Sequence, residues 1–220
     1  SDVDSGDTSN DSSITLTFTT SEATSDFSDS DITVSAGTLS SFTATSSTLY
    51  TATLTPSGDA TYTIDVNAGV FIDPTGNGNV AATQYTWAYD NTAPPLSSVG
   101  IVSSNSDTSL AKVGDVVTLS FTSSEVVGTP TVTIAGQSAT VTNTSSNDWT
   151  ATYTMTSNET EGAISFSIAF DDAAGNAGTA VTAVTDSTSV TFDKTAPTVT
   201  ITSSDVDSGD TSNDSSITLT

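Results

Sequence analysis

Residues 149–155 read Trp149-Thr150-Ala151-Thr152-Tyr153-Thr154-Met155. Apolar and polar side chains alternate at every step, the period of a strand with one buried and one wet face. Threonine suits the wet face because it is both β-branched and polar. The same alternation runs through Ile14-Thr15-Leu16-Thr17-Phe18-Thr19, through Tyr50-Thr51-Ala52-Thr53-Leu54-Thr55 and through Ile164-Ser165-Phe166-Ser167-Ile168-Ala169-Phe170. No window carries a helical stripe. The chain therefore reads as ordered and all-β, although its acidity and its wealth of Ser and Thr also suit disorder.

Working outward, Thr51-Ala52-Thr53-Leu54-Thr55 has a counterpart in Thr150-Ala151-Thr152-Tyr153-Thr154. Three further motifs return in the same order, each about 100 residues later. Phe18-Thr19-Thr20-Ser21-Glu22 becomes Phe121-Thr122-Ser123-Ser124-Glu125. Asp73-Pro74-Thr75-Gly76-Asn77 becomes Asp172-Ala173-Ala174-Gly175-Asn176. Tyr89-Asp90-Asn91-Thr92-Ala93-Pro94 becomes Phe192-Asp193-Lys194-Thr195-Ala196-Pro197. A period of that size is one β-sandwich module. A longer period is literal: residues 204–220 repeat residues 1–17 letter for letter. The expected organisation is domain one over 1–93, domain two over 94–196 and the start of another copy of domain one over 197–220. On this reading the sequence is a window on a longer array. Residues 198–203, reading TVTITS, would be a first strand for which domain one shows no counterpart. That leaves its edge open, or covered by a preceding repeat.

Strands are predicted near 13–20, 31–35, 38–44, 49–55, 60–67 and 84–89. In the second half they are predicted near 99–103, 116–122, 131–135, 138–142, 149–155, 163–170 and 187–192. Turn signals at 56–59, 73–78 and 135–136 separate them. About seven short strands per hundred residues describe tandem immunoglobulin-like antiparallel sandwiches with Greek-key connections.

Composition removes whole classes of function. Among 220 residues there are 2 Lys and Arg against 26 Asp and Glu, with no His and no Cys, for a net charge of −24. There is no thiol or imidazole for catalysis, no disulfide and no His/Cys zinc site. A basic footprint for nucleic acid or anionic membrane is missing. No apolar run has the roughly 18 residues that a membrane span needs. Neighbouring carboxylates such as Asp171 and Asp172 do not flank a substrate as a glycosidase pair must. A non-enzymatic protein is expected.

The Phe-Thr-x-Ser-Glu strand end, the Asp-x-x-Gly-Asn loop and the closing Asp-x-Thr-Ala-Pro linker resemble the bacterial immunoglobulin-like repeats of very large surface adhesins and related extracellular repeat proteins. The resemblance covers both halves. It implies an extracellular or cell-surface spacer, often calcium-dependent, whose partners are neighbouring repeats and, in a fibre, other copies. In that topology Glu125, Asp171, Asp172 and Asn176 face the incoming linker with Asp90 and Asn91. Acids brought so close repel without a cation, and Ca²⁺ takes 6–8 oxygen ligands in loose geometry. Glu22, Asp73 and Asn77 would meet the linker of a preceding repeat, and Asp193 the loops of a following one. Asp2, Asp4 and Asp7 lie in an acidic loop expected near Asp59 and Asp90, where they could add ligands. The alternative is that these acids only solvate, with Asp-x-x-Gly-Asn a turn whose glycine supplies a positive φ. Two other readings stay open: a calcium-dependent glycan- or partner-binding module, which needs exposed aromatics, and a filament built by strand exchange.

Overall fold

The computed structural model describes residues 3–203, 208, 209, 211 and 213. The first unit contains β1 (Thr8–Ser9), β2 (Ile14–Thr19), β3 (Ile32–Val34), β4 (Thr38–Ala44), β5 (Leu49–Thr55), β6 (Ala60–Val66) and β7 (Tyr85–Tyr89). The second contains β8 (Leu96–Ser103), β9 (Leu110–Ala111), β10 (Val116–Ser123), β11 (Thr131–Ile134), β12 (Gln137–Ser138) and β13 (Thr140–Asn143). It closes with β14 (Asp148–Thr154), β15 (Gly162–Ala163), β16 (Phe166–Ala169) and β17 (Thr191–Phe192).

The first unit layers a β1-β7-β6-β3 sheet on a β2-β5-β4 sheet. In the second, β13-β14-β10-β8 forms one layer, and β12-β11-β16 and β15-β17-β9 supply the other. Pairing is antiparallel except at two places: β1 runs parallel to β7, and β9 parallel to β17. The alternating residues do what their period requires. Ile14, Leu16, Tyr50, Leu54, Tyr62, Ile64 and Trp87 close one core, and Val117, Leu119, Phe121, Ile134, Trp149 and Ile168 close another. The two cores share no residue. In the first core Phe27 is the hub. Its ring lies 4.8 Å from that of Phe71, 5.0 Å from Tyr50, 5.6 Å from Phe42 and 5.7 Å from Phe18, spacings at which aromatic pairs attract.

Most strands lie where alternation puts them, and the departures have physical causes. The run 163–170 is two strands, because Gly162–Ala163 pairs with β17 and Phe166–Ala169 with β11. The run 138–142 also changes partners, β12 closing a tight turn with β11 and β13 joining β14. At that turn Ala135 and Gly136 have φ of 51° and 79°, the paired positive values of the turn that suits a twisted hairpin. Of the strand expected over 198–203, residues 198–202 belong to no strand and Ser203 forms a β-bridge; the copy of β2 at 217–220 lies outside the described residues.

Candidate functional site

The linker after β7 carries Asp90, the segment after β10 carries Glu125, and the loop after β16 carries Asp172. One carboxylate oxygen from each lies within 4.8 Å of the other two. The three come from three separated stretches of chain and meet where the units join. Asp172 is buried, and Asp90 and Glu125 are half-buried.

Each is held by its own local structure. The Asp-x-x-Gly-Asn loop turns through Gly175 at φ 90°, a value that glycine adopts without a steric penalty. Across the turn the Asn176 N–H donates to Asp172 Oδ1 at 2.8 Å, and Asn176 Nδ2 to Asp172 Oδ2 at 2.9 Å. Asn176 Nδ2 also donates to the Asp90 carbonyl at 2.9 Å, and its Oδ1 accepts from Asn10 Nδ2 at 3.0 Å. Asn176, itself buried, thus ties the loop, the linker and the first unit together. The linker is braced from its other side: Asp59 accepts from the Asn91 N–H at 2.8 Å and from the Thr92 hydroxyl. Burial, then the nearby Asp90 and Asp172 charges, push Glu125 above the ordinary glutamate range. The two lysines lie elsewhere. Lys194 Nζ donates to the Ser157 and Glu159 carbonyls, and Lys112 sits beside Asp115.

Of the sequence-predicted residues, Asp90, Glu125, Asp172 and Asn176 come together. Asn91 is exposed and contributes only its N–H to Asp59. Asp171 is exposed too, on the opposite face of the chain from its neighbour. Asp193 repeats the geometry of Asp90: its Oδ1 accepts the Thr195 N–H at 2.8 Å, as Asp90 Oδ1 accepts that of Thr92 at 2.9 Å. Glu22, Asp73 and Asn77 line one groove of the first unit. Their loop has the same turn, with Gly76 at φ 94°. Hydrogen bonds from the Asn77 side chain and N–H, then from Thr75, hold the Asp73 carboxyl well below the usual carboxylate range. Both loops make the same glycine turn, and the linker carrying Asp90 lies against the second.

The acidic loop sits elsewhere than expected. Parallel pairing of β1 with β7 lays Asp4 and Asp7 beside Tyr85 and Thr86, at the start of β7. Asp59 and Asp90 stand at or beyond its other end. Only the end of the loop reaches the junction, through Asn10 and through the Ser9 carbonyl, which accepts the Asp90 N–H at 3.2 Å. Asp2 lies outside the described residues. Asn10 is the residue that sequence reasoning missed, because a two-residue strand has no period from which to place it.

Residues 2–89 match the family model for the bacterial Ig-like domain. The first unit is a bacterial Ig-like domain. The second unit repeats the motifs of that Ig-like domain and its parallel terminal pairing. The chain is also similar to the fibronectin(III)-like modules of Clostridium thermocellum CbhA, at 12% identity over 88% of this chain and 91% of that one, with a TM-score of 0.41. Similarity to the D1-D2 domains of Rst is at 12% identity, 88% and 98% coverage and a TM-score of 0.36. For the D00-D0 domain of intimin the figures are 14%, 88%, 97% and 0.31. No curated protein matches the chain.

Proposed function

We propose that this chain is a non-enzymatic structural spacer of an extracellular bacterial repeat protein, an adhesin stalk or fibre, and that Ca²⁺ bound at the domain junction stiffens it. The observation that carries the reading is the meeting of Asp90, Glu125 and Asp172 within 4.8 Å. Oxygens bound to one Ca²⁺ at 2.3–2.6 Å lie no more than about 5 Å apart, and carboxylates can bind through one oxygen or two. The donor set is all oxygen, which suits a hard cation and no softer metal. Without a cation the three charges repel, and burial, then the Asp90 and Asp172 charges, hold Glu125 above the ordinary glutamate range. With one, linker, strand end and loop share a ligand sphere and the joint loses its freedom to bend.

The glycan-binding alternative needs an exposed aromatic platform. Trp87, Trp149 and Tyr62 are buried in the cores, and the Tyr153 hydroxyl is committed to Glu159 at 2.7 Å. The remaining acidity keeps a concentrated surface polymer soluble.

The test is a calcium titration of the 220-residue chain, following melting temperature and solution-scattering length, with chelator as the reference. Calcium is expected to raise the first and extend the second. Saturation at about 100 times Kd corresponds to about 2.7 kcal/mol of added stability. If neither quantity moves, the carboxylates only solvate and the calcium joint is wrong.

A further inference from the structure

In the second unit β8 and β13 are the two edges of one sheet, and β8 has eight residues against the four of β13. Its sequence, Leu96-Ser97-Ser98-Val99-Gly100-Ile101-Val102-Ser103, carries no charge. An uncharged edge of that length is a template on which another strand can pair. Here its outward groups are taken. On the side away from β10 the Val99 N–H donates to Thr185 Oγ1 at 2.9 Å, and the Ile101 N–H to Thr188 Oγ1 at 2.8 Å. The Ser103 N–H donates to the Thr108 carbonyl at 2.9 Å, and the Val99 carbonyl accepts the Thr185 N–H at 2.8 Å.

The segment that covers the edge is Val184-Thr185-Asp186-Ser187-Thr188, which belongs to no strand. It meets two of the β8 amides with threonine hydroxyls, which satisfy them without extending the ladder. Val184 packs against the second core and Val190 is buried in it, so the segment is pinned at both ends. Between the two threonines Ser187 takes φ 64°, a left-handed value that few residues other than glycine adopt. Asp186 lies across the strand. A Cβ on Gly100, the one glycine of β8, would collide with Asp186 Oδ2 and stand 3.2 Å from its Cγ. The Thr188 hydroxyl and N–H donate to Asp186 Oδ1 at 2.7 and 3.0 Å. Those bonds hold the carboxyl below the usual carboxylate range, so a negative charge sits on the strand at its glycine.

We propose that residues 184–188 are an edge guard, which keeps β8 from pairing with the β8 of a second copy of this chain. A loop laid over the edge and a charge set against it are two of the ways in which sheet edges are kept from pairing. This segment supplies both. Shortness is a third, and β13 has it. The partner kept out is a second β8 because two such strands, turned about a two-fold axis, offer each other the same uncharged edge and the same outward amides at Val99, Ile101 and Ser103. Gly100 is the residue on which the guard depends, since a side chain there takes the place of Asp186. The guard needs no cation and uses none of the junction carboxylates.

The experiment uses the 220-residue chain in chelator, so that the calcium reading plays no part. Amide hydrogen exchange is read at Val99 and Ile101, with Leu119 and Phe121 of β10 as the measure of an intact fold. Mass is followed against concentration by sedimentation. In the unaltered chain exchange at Val99 and Ile101 is expected to be slow at every concentration. T185A/T188A removes both hydroxyls. In dilute solution it should speed exchange at Val99 and Ile101 about tenfold or more and leave β10 unchanged. As concentration rises its mass should increase and the protection of Val99 and Ile101 should return. G100V, which displaces Asp186 while favouring a strand, should behave in the same way. The proposal is overturned if both variants keep the original exchange at Val99 and Ile101, if they lose that protection at constant mass, or if they associate without regaining it. Loss of β10 protection in both variants also overturns it, because the segment would then hold the fold rather than guard an edge.

Discussion

At the scale of single residues, the junction turns on Glu125, a carboxyl held above its ordinary range by burial and by Asp90 and Asp172. Its folded pKa exceeds its unfolded value, so its proton favours the folded chain. That stability is present at low pH and is lost as pH rises through the folded value. In chelator the melting temperature should therefore climb as pH falls from 7 through the raised Glu125 value. It should decline again as pH nears 4 and below, because Asp73 and Asp148 are held low by hydrogen bonds and contribute stability only while ionised. Glu125→Gln should flatten the first limb, raise the melting temperature in chelator by a few degrees and weaken the calcium response. Differential scanning calorimetry across pH, with and without calcium, reads all three. Much of this site was legible in the sequence, since Asp90, Glu125, Asp172 and Asn176 all sit in motifs that occur twice. Asn10 was not, because nothing near it in the sequence marks a contact with Asn176, 166 residues away.

At the scale of elements, alternation placed β2, β5, β6, β10 and β14 closely, because each has one face in a core and one in water. What it did not place were β1 and β9, two residues each, and the points where a strand changes sheets, since a change of partner leaves the apolar period intact. Turns carry their own chemistry. Gly37, between β3 and β4, has φ 80°, and a Cβ there would stand 2.6 Å from the Thr55 carbonyl oxygen and 3.1 Å from the Tyr62 ring. The obstacle is backbone on one side and a core ring on the other. Gly37→Ala is therefore expected to cost about 1–3 kcal/mol, measured by urea unfolding followed through Trp87 in the adjacent core.

At the scale of the whole molecule, each core holds one tryptophan, Trp87 in the first and Trp149 in the second. A chain carrying W149F reports only the first unit by fluorescence, and one carrying W87F only the second. In chelator the two are expected to melt at separate temperatures, and calcium should bring the midpoints together, because one ion then draws ligands from the linker and from the second unit. Midpoints that stay apart at saturating calcium would show the units to be energetically independent. The two parallel pairings have a mechanical consequence. In each unit a strand near its start runs beside its last strand and in the same direction, β1 with β7 and β9 with β17. Tension applied through the two ends of the chain therefore pulls these partners past one another along their length. The bonds of Gly6 to Thr86, Ala88 to Asp7 and Asp90 to Ser9 are loaded together rather than opened one after another. A unit built in this way resists stretching by shear.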